Sequence, residues 1–160
     1  MHKEEKFIQL IKENEGIIYK VTRIYTNNEA DQKDLYQEVV FQLWKSFDNY
    51  RGEAKLSTWM YRIALNTALF HIKQAKKKGH KVGLEKIILK QENYDPILEE
   101  RLAVMYQHIK ALNDLEKAII LLFLEGKKHE EIAEITGITA TNVGTRISRI
   151  KQKLKETIKK

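Results

Sequence analysis

The sequence predicts an all-α protein of two small helical domains joined by a linker, with a helix-turn-helix in the carboxyl-terminal domain. Three observations predict it. Apolar residues recur at three- and four-residue steps along nearly the whole chain. No segment alternates apolar and polar residues with the period of two that marks a half-buried strand. One stretch, Lys76 to Pro96, breaks the periodicity and holds two glycines and the only proline.

The elements follow in order. Phe7, Leu10 and Ile11, then Ile17, Ile18, Val21 and Ile24, mark helical spacing before the polar "TNN" at Thr26 to Asn28. A second helix is expected from near Ala30, with Leu35, Val39, Leu43 and Phe47 as its stripe. A third follows the loop "DNYRGEAK", with Leu56, Trp59, Ile63, Thr67 and Phe70 on one face. Residues 79–96 read as the linker between a domain at 1–78 and another at 97–160. Asp95 and Pro96 read as an N-cap followed by proline at the first helical position. Behind them Leu98, Leu102, Met105, Ile109 and Leu112 form a stripe. Asn113 is the expected cap of the next helix, which runs through the apolar block Ala118 to Leu124 and ends near Gly126.

The last part, "HEEIAEITGITATNVGTRISRIKQKL" from His129, carries the helix-turn-helix. Small Ala133 lets two helices cross closely, and Gly137 sits where the corner needs positive φ. Ile138 follows as a plug, and Val143, Ile147, Ile150 and Leu154 form the inner stripe of the second helix. Thr141, Asn142, Thr145, Arg146 and Arg149 lie away from that stripe, where a helix entering a major groove would meet base edges. Lys151, Lys153 and Lys155 suit phosphates, which set affinity and register. Gly144, in mid-helix, costs about 1 kcal/mol against alanine and would permit a close backbone approach to DNA.

Charge supports a polyanionic partner. The 160 residues carry a net charge of +7, from 29 basic and 22 acidic residues. From Ala54 to Leu84 there is no acid and there are seven bases; from Gly137 onward there are seven bases and one acid, Glu156. Each domain therefore has its own basic surface. No cysteine is present, which excludes disulfides and thiolate chemistry and suits a reducing cytoplasm. The longest apolar run, Ala118 to Leu124, is far short of the ~20 residues a membrane helix needs, so no membrane insertion is expected. The amino terminus, "MHKEEKFIQL", does not read as a secretory signal. No two of the five histidines lie four residues apart, and "HEEIA" lacks a second histidine. No glycine-rich phosphate loop occurs, and the neighbouring acids point in different directions from their helices. Catalytic residues, metal sites and cofactors are therefore not expected, and the protein is read as a non-enzyme.

The segment "DQKDLYQEVVFQLWKSFDNYRGEAKLSTWMYRIALNTALFHIKQAKKK" resembles the second conserved region of bacterial RNA polymerase sigma factors, specifically the extracytoplasmic-function (ECF) group. The segment "ALNDLEKAIILLFLEGKKHEEIAEITGITATNVGTRISRIKQKLK" resembles that group's fourth region. The resemblance implies a transcription initiation factor whose partners are core RNA polymerase, promoter DNA and an inhibitory anti-sigma factor. It implies that the "DLYQEV" helix docks on the polymerase's largest subunit through Asp34, Gln37 and Glu38, which share one face at steps of three and four. Trp44 is either core or the anchor of that contact. The resemblance also implies that the first domain recognises and melts a minus-ten element. Its residues there are Tyr50, Lys55, Ser57, Thr58, Trp59, Arg62, Asn66 and Lys73, with His71 nearby, on a mobile glycine loop and an acid-free helix. Trp59 fits the apolar stripe as well. The fourth region would read a minus-thirty-five element through Thr141, Asn142, Thr145, Arg146, Arg149, Lys151 and Lys153. The chain departs from the family pattern at Asn113 (usually proline), Lys128 (serine or threonine), Leu65 (often arginine) and Phe70 (often aspartate). A helix-turn-helix regulator that binds duplex DNA without polymerase is the rival expectation.

Overall fold

The computed structural model describes residues 2–78 and 96–158. The chain divides into two compact units, Met1–Ile88 and Leu89–Lys160. The expected linker and the Asp95 cap lie outside the described residues, apart from Pro96. Among the described residues there are eight α-helices and no strand.

The first unit contains α1 (Lys3–Glu13), α2 (Glu15–Ile24), α3 (Glu29–Ser46), a 3₁₀ turn (Phe47–Asn49) and α4 (Leu56–Lys78). The apolar run before Thr26 is therefore two helices rather than one. The break is at Asn14, whose backbone leaves the helical region (φ −127°, ψ 22°) and whose Nδ2 donates to the Leu10 carbonyl at 2.9 Å. That side-chain bond satisfies a carbonyl at the end of α1 and stops its continuation. Asn28 caps α3 by accepting the Asp31 N–H at 2.8 Å. Helices α2, α3 and α4 pack on one another. Ile18, Val21 and Ile24 meet Leu35, Val39 and Leu43 in the core, joined by Met60, Tyr61, Ala64, Leu65 and Ala68.

This corrects the expected face of α4. Of the expected stripe Thr67 is buried and Leu56, Trp59 and Ile63 are half-buried, but Phe70 is 63% exposed, while Met60, Ala64 and Ala68 are buried. The buried face is turned by about one residue, or 100°, from the expected one. The cause is that α4 packs against both α2 and α3, and small Ala64 and Ala68 let those helices approach.

The second unit contains α5 (Pro96–Lys110), α6 (Asp114–Leu124), α7 (His129–Thr136) and α8 (Ala140–Ile158). Asn113 and Glu116 form a full capping box: Asn113 Oδ1 accepts from the Glu116 N–H at 2.9 Å, and Glu116 Oε1 accepts from the Asn113 N–H at 3.1 Å. Asparagine thus starts α6 with both bonds of the box made. Ile119 and Leu122 of α6, Ile132 of α7, and Val143, Ile147 and Ile150 of α8 form the core. The expected α5 stripe holds only at its end. Ile109 and Leu112 are buried with Tyr106, but Leu98 and Met105 are exposed. Helices α6 and α8 pack on α5, whose fully buried residues lie in its last turns, while Leu102 is half-buried.

Candidate nucleic-acid interface

The corner of the helix-turn-helix is built as its residues require. Gly137 takes φ +84°, ψ 8°, a left-handed conformation that disfavours any side chain, and its N–H closes α7 on the Ala133 carbonyl at 2.8 Å. Thr139 then starts α8, its Oγ1 accepting the Asn142 N–H at 3.1 Å. This hydroxyl was legible as a cap signal but not singled out above. Lys128 supplies no such oxygen to α7, and Glu131 Oε1 reaches back to its N–H at 3.3 Å instead.

Helix α8 is sharply two-faced. Val143, Ile147 and Ile150 are buried, whereas Thr141, Asn142, Thr145 and Arg149 are exposed and Arg146 is half-buried. The outer face is partly held in place: Arg146 Nε donates to Asn142 Oδ1 at 3.2 Å, and Thr145 Oγ1 donates to the Thr141 carbonyl at 3.2 Å. Such fixed polar groups lose less entropy on meeting a base edge. A Cβ at Gly144 would stand 3.4 Å from His129 Cε1, an ordinary van der Waals contact, so packing against the start of α7 does not itself require glycine here.

Two of the three lysines assigned to phosphates, Lys153 and Lys151, already have partners. Lys153 Nζ lies 2.6 Å from Glu116 Oε2, tying α8 to the start of α6. Lys151 Nζ lies 4.4 Å from the centroid of the Phe123 ring. Sequence spacing hid both contacts, because Glu116 is 37 residues from Lys153.

In the first unit the glycine loop carries local side-chain contacts of its own. Tyr50 Oη donates to the Ala54 carbonyl at 2.8 Å, spanning Gly52 at φ +77°. The Tyr50 and Trp59 rings stack with centroids 4.8 Å apart and planes at 29°. Trp59 is thus half-buried in a loop-to-helix clasp, with one ring neighbour already in place. Lys55, Asn66 and Lys73 are exposed; Ser57, Arg62 and His71 are half-buried. Thr58 is only 3% exposed, so the structure withdraws it from the surface set: its side chain belongs to the core of this unit. Leu65 is buried too, so that position serves packing in this chain.

On α3, Asp34, Gln37 and Glu38 are half-buried along one face, and Gln42 Nε2 donates to Glu38 Oε1 at 3.0 Å. Trp44 is held by α1. Phe7 meets it edge-on at 5.1 Å, and Lys3 Nζ sits 4.1 Å above its ring while bonding Asp48 at 2.9 Å. Phe41, 51% exposed with Lys45 over its ring at 5.3 Å, is the open aromatic of this helix, and the sequence reading passed it over. Among the described residues no group of three or more histidine, aspartate or glutamate side chains could hold a metal ion.

Residues 10–78 match the family model described as Sigma-70 region 2, and residues 103–154 match Sigma-70, region 4. The ECF RNA polymerase sigma-E factor of Haemophilus influenzae is 31% identical over 154 residues, covering 86% of this chain and 79% of that protein. The protein of the same name from Escherichia coli K12 is 28% identical over 138 residues, covering 77% and 71%. Two solved structures share the fold. CnrH in complex with the cytosolic domain of CnrY gives a TM-score of 0.70 at 19% identity, covering 98% of this chain and 90% of that one. The sigma factor RpoE in complex with the anti-sigma factor NepR, from Bartonella quintana, gives 0.71 at 18% identity, covering 98% and 96%.

Proposed function

The chain belongs to the ECF group of RNA polymerase sigma factors, and from that premise we propose how its residues divide the work of initiation. It is an alternative sigma factor that binds core RNA polymerase and directs promoter recognition and opening. The carboxyl-terminal unit docks α8 in the major groove of a minus-thirty-five element. Thr141, Asn142, Thr145, Arg146 and Arg149 face the bases there, and arginine suits the paired acceptors of guanine. The amino-terminal unit holds the minus-ten strand with the Tyr50–Trp59 clasp, Lys55, Ser57, Arg62, Asn66 and Lys73. Asp34, Gln37 and Glu38 on α3 offer carboxylate and amide oxygens to basic groups of the polymerase. Nucleotidyl transfer belongs to the polymerase, so this chain contributes binding and no bond-making chemistry.

The observation that carries this proposal is the two-faced α8 behind its glycine corner: the apolar stripe is buried and the polar residues opposite it stand in solvent. An anti-sigma protein is the proposed inhibitory partner, by analogy with the complexes of RpoE with NepR and of CnrH with CnrY. The proposed place of action is the cytoplasm, with polymerase; among the described residues no helix is long and apolar enough to cross a membrane.

The test adds the purified chain to core polymerase and scores promoter-specific transcription, with permanganate probing of promoter thymines. Transcription together with reactive thymines is expected. Duplex binding by the chain alone, with no initiation in the presence of polymerase, would assign it instead to regulators that act without polymerase.

A further inference from the structure

The α4 surface carries one side chain that no role above explains. Phe70 is 63% exposed, and among the described phenylalanines only Phe41, on a different helix, is also exposed. A phenylalanine ring in water is unfavourable by the apolar area it leaves uncovered, and a lone exposed apolar residue often means nothing. The setting of Phe70 is different. On a helix, residues 59, 62, 66, 70 and 73 fall within about 80° of arc, at 100° per residue. The face therefore reads Trp59, Arg62, Asn66, Phe70, Lys73: an aromatic, a cation, an amide, a second aromatic and a second cation. At 1.5 Å per residue the two aromatic positions are about 16 Å apart along the axis, with the polar pair between them. Asn66 and Lys73, flanking Phe70, are both exposed. No acid occurs from Ala54 to Leu84, so nothing in this part of the sequence repels a phosphate backbone.

We propose that Phe70 is a stacking platform for an unpaired nucleobase, extending the single-strand track of α4 beyond the Tyr50–Trp59 clasp. An aromatic among cations fits single-stranded nucleic acid: the cations follow the phosphates, and the ring accepts any base on its π-face. A protein surface would be met as well by a charged residue here, and a duplex hides its base faces in its own stack. The contact is tolerant of sequence, so Phe70 adds affinity for the open strand without selecting a base. This inference rests on the proposal that the chain opens promoters with polymerase.

The experiment uses the full chain assembled with core polymerase and two DNA probes of one promoter sequence: a fully paired duplex and a version with a preformed bubble at the minus-ten element. Phe70→Ala and Phe70→Leu should each weaken binding to the bubble probe by about fivefold or more. Phe70→Trp should keep it within twofold of wild type, at roughly that limit. Duplex binding, polymerase affinity and thermal stability should not change in any variant. Wild-type affinity in Phe70→Leu would overturn the proposal, since leucine keeps the apolar volume and loses the ring. So would equal losses on the two probes, a loss of polymerase affinity, or a drop in melting temperature, each of which assigns Phe70 to another surface. If wild-type holoenzyme itself fails to favour the bubble, the promoter-opening function fails and the stacking role with it. If it does favour the bubble and the Phe70 variants match wild type, only the stacking role falls.

Discussion

Replacing Lys153 by methionine separates a lysine that holds the fold from one that holds DNA. Glu116 is only 7% exposed. Its Oε1 accepts the Asn113 N–H at 3.1 Å and its Oε2 takes Lys153 Nζ at 2.6 Å. Burial pushes the Glu116 carboxyl up, but the hydrogen bonds from Lys153 and the Asn113 backbone, and then the charges of Lys153 and Arg146, bring it below its ordinary value. Methionine keeps most of the apolar stem of lysine and removes the charge, leaving a buried carboxylate short of one donor. A hydrogen bond to a charged group contributes about 1.5–3 kcal/mol. The lysine side chain is 56% exposed, so water screens its end of the pair. The expected loss is therefore about 1–2 kcal/mol. In a unit of this size that lowers the melting temperature by roughly 5–15 °C. Both tryptophans, Trp44 and Trp59, belong to the unit Met1–Ile88. Tryptophan fluorescence should accordingly keep its transition while circular dichroism reports an earlier one. The acid dependence has a definite sign. Because the folded Glu116 carboxyl lies below its unfolded value, near 4.3, its contribution is complete above that value and is lost as pH falls through the folded one. The gap between wild type and Lys153→Met should be widest near neutrality and close in acid. An unchanged melt at neutral pH, with a salt dependence of DNA binding shallower by about 0.9 in log–log slope, would refute this account and return Lys153 to the phosphates.

Four further outcomes are expected. Arg149→Ala should weaken binding to minus-thirty-five duplex by about fivefold or more, read by fluorescence anisotropy, with polymerase affinity intact; equal losses of both would reject the α8 assignment. Asp34→Ala combined with Glu38→Ala should reduce affinity for core polymerase in a pull-down titration, and unchanged affinity would reject the α3 face. Gly137→Ala should destabilise the second unit by about 1–2 kcal/mol, because its left-handed φ disfavours a Cβ even though the surrounding space is open; Gly137→Asn should recover part of that in the same melt. Gly144→Ala should raise the stability of this unit by up to about 1 kcal/mol, since the new methyl would only touch the His129 ring; a fall in melting temperature would show that the ring cannot yield.

What could be read along the chain was what neighbours three or four residues away decide. The Asn113–Glu116 box, the glycine corner at Gly137 and the two faces of α8 are of this kind, and the structure holds all three. The α8 stripe was unambiguous because polar residues surround it on every other side. Helix α4 offered no such contrast. Leu56, Trp59, Met60, Tyr61, Ile63, Ala64, Leu65, Ala68, Leu69 and Phe70 cover most of its circumference, so periodicity alone chose the wrong face.

Helical class, the glycine corner and the family were therefore determined by the sequence alone, since each depends on local spacing or on composition. Tertiary structure decided which way α4 turns, that Thr58 is inside and Phe70 outside, that Trp44 packs on Phe7, and that Lys153 answers Glu116. These are contacts between helices, set by which surfaces fit and which charges lose their water together. No rule acting over one or two helical turns contains that information.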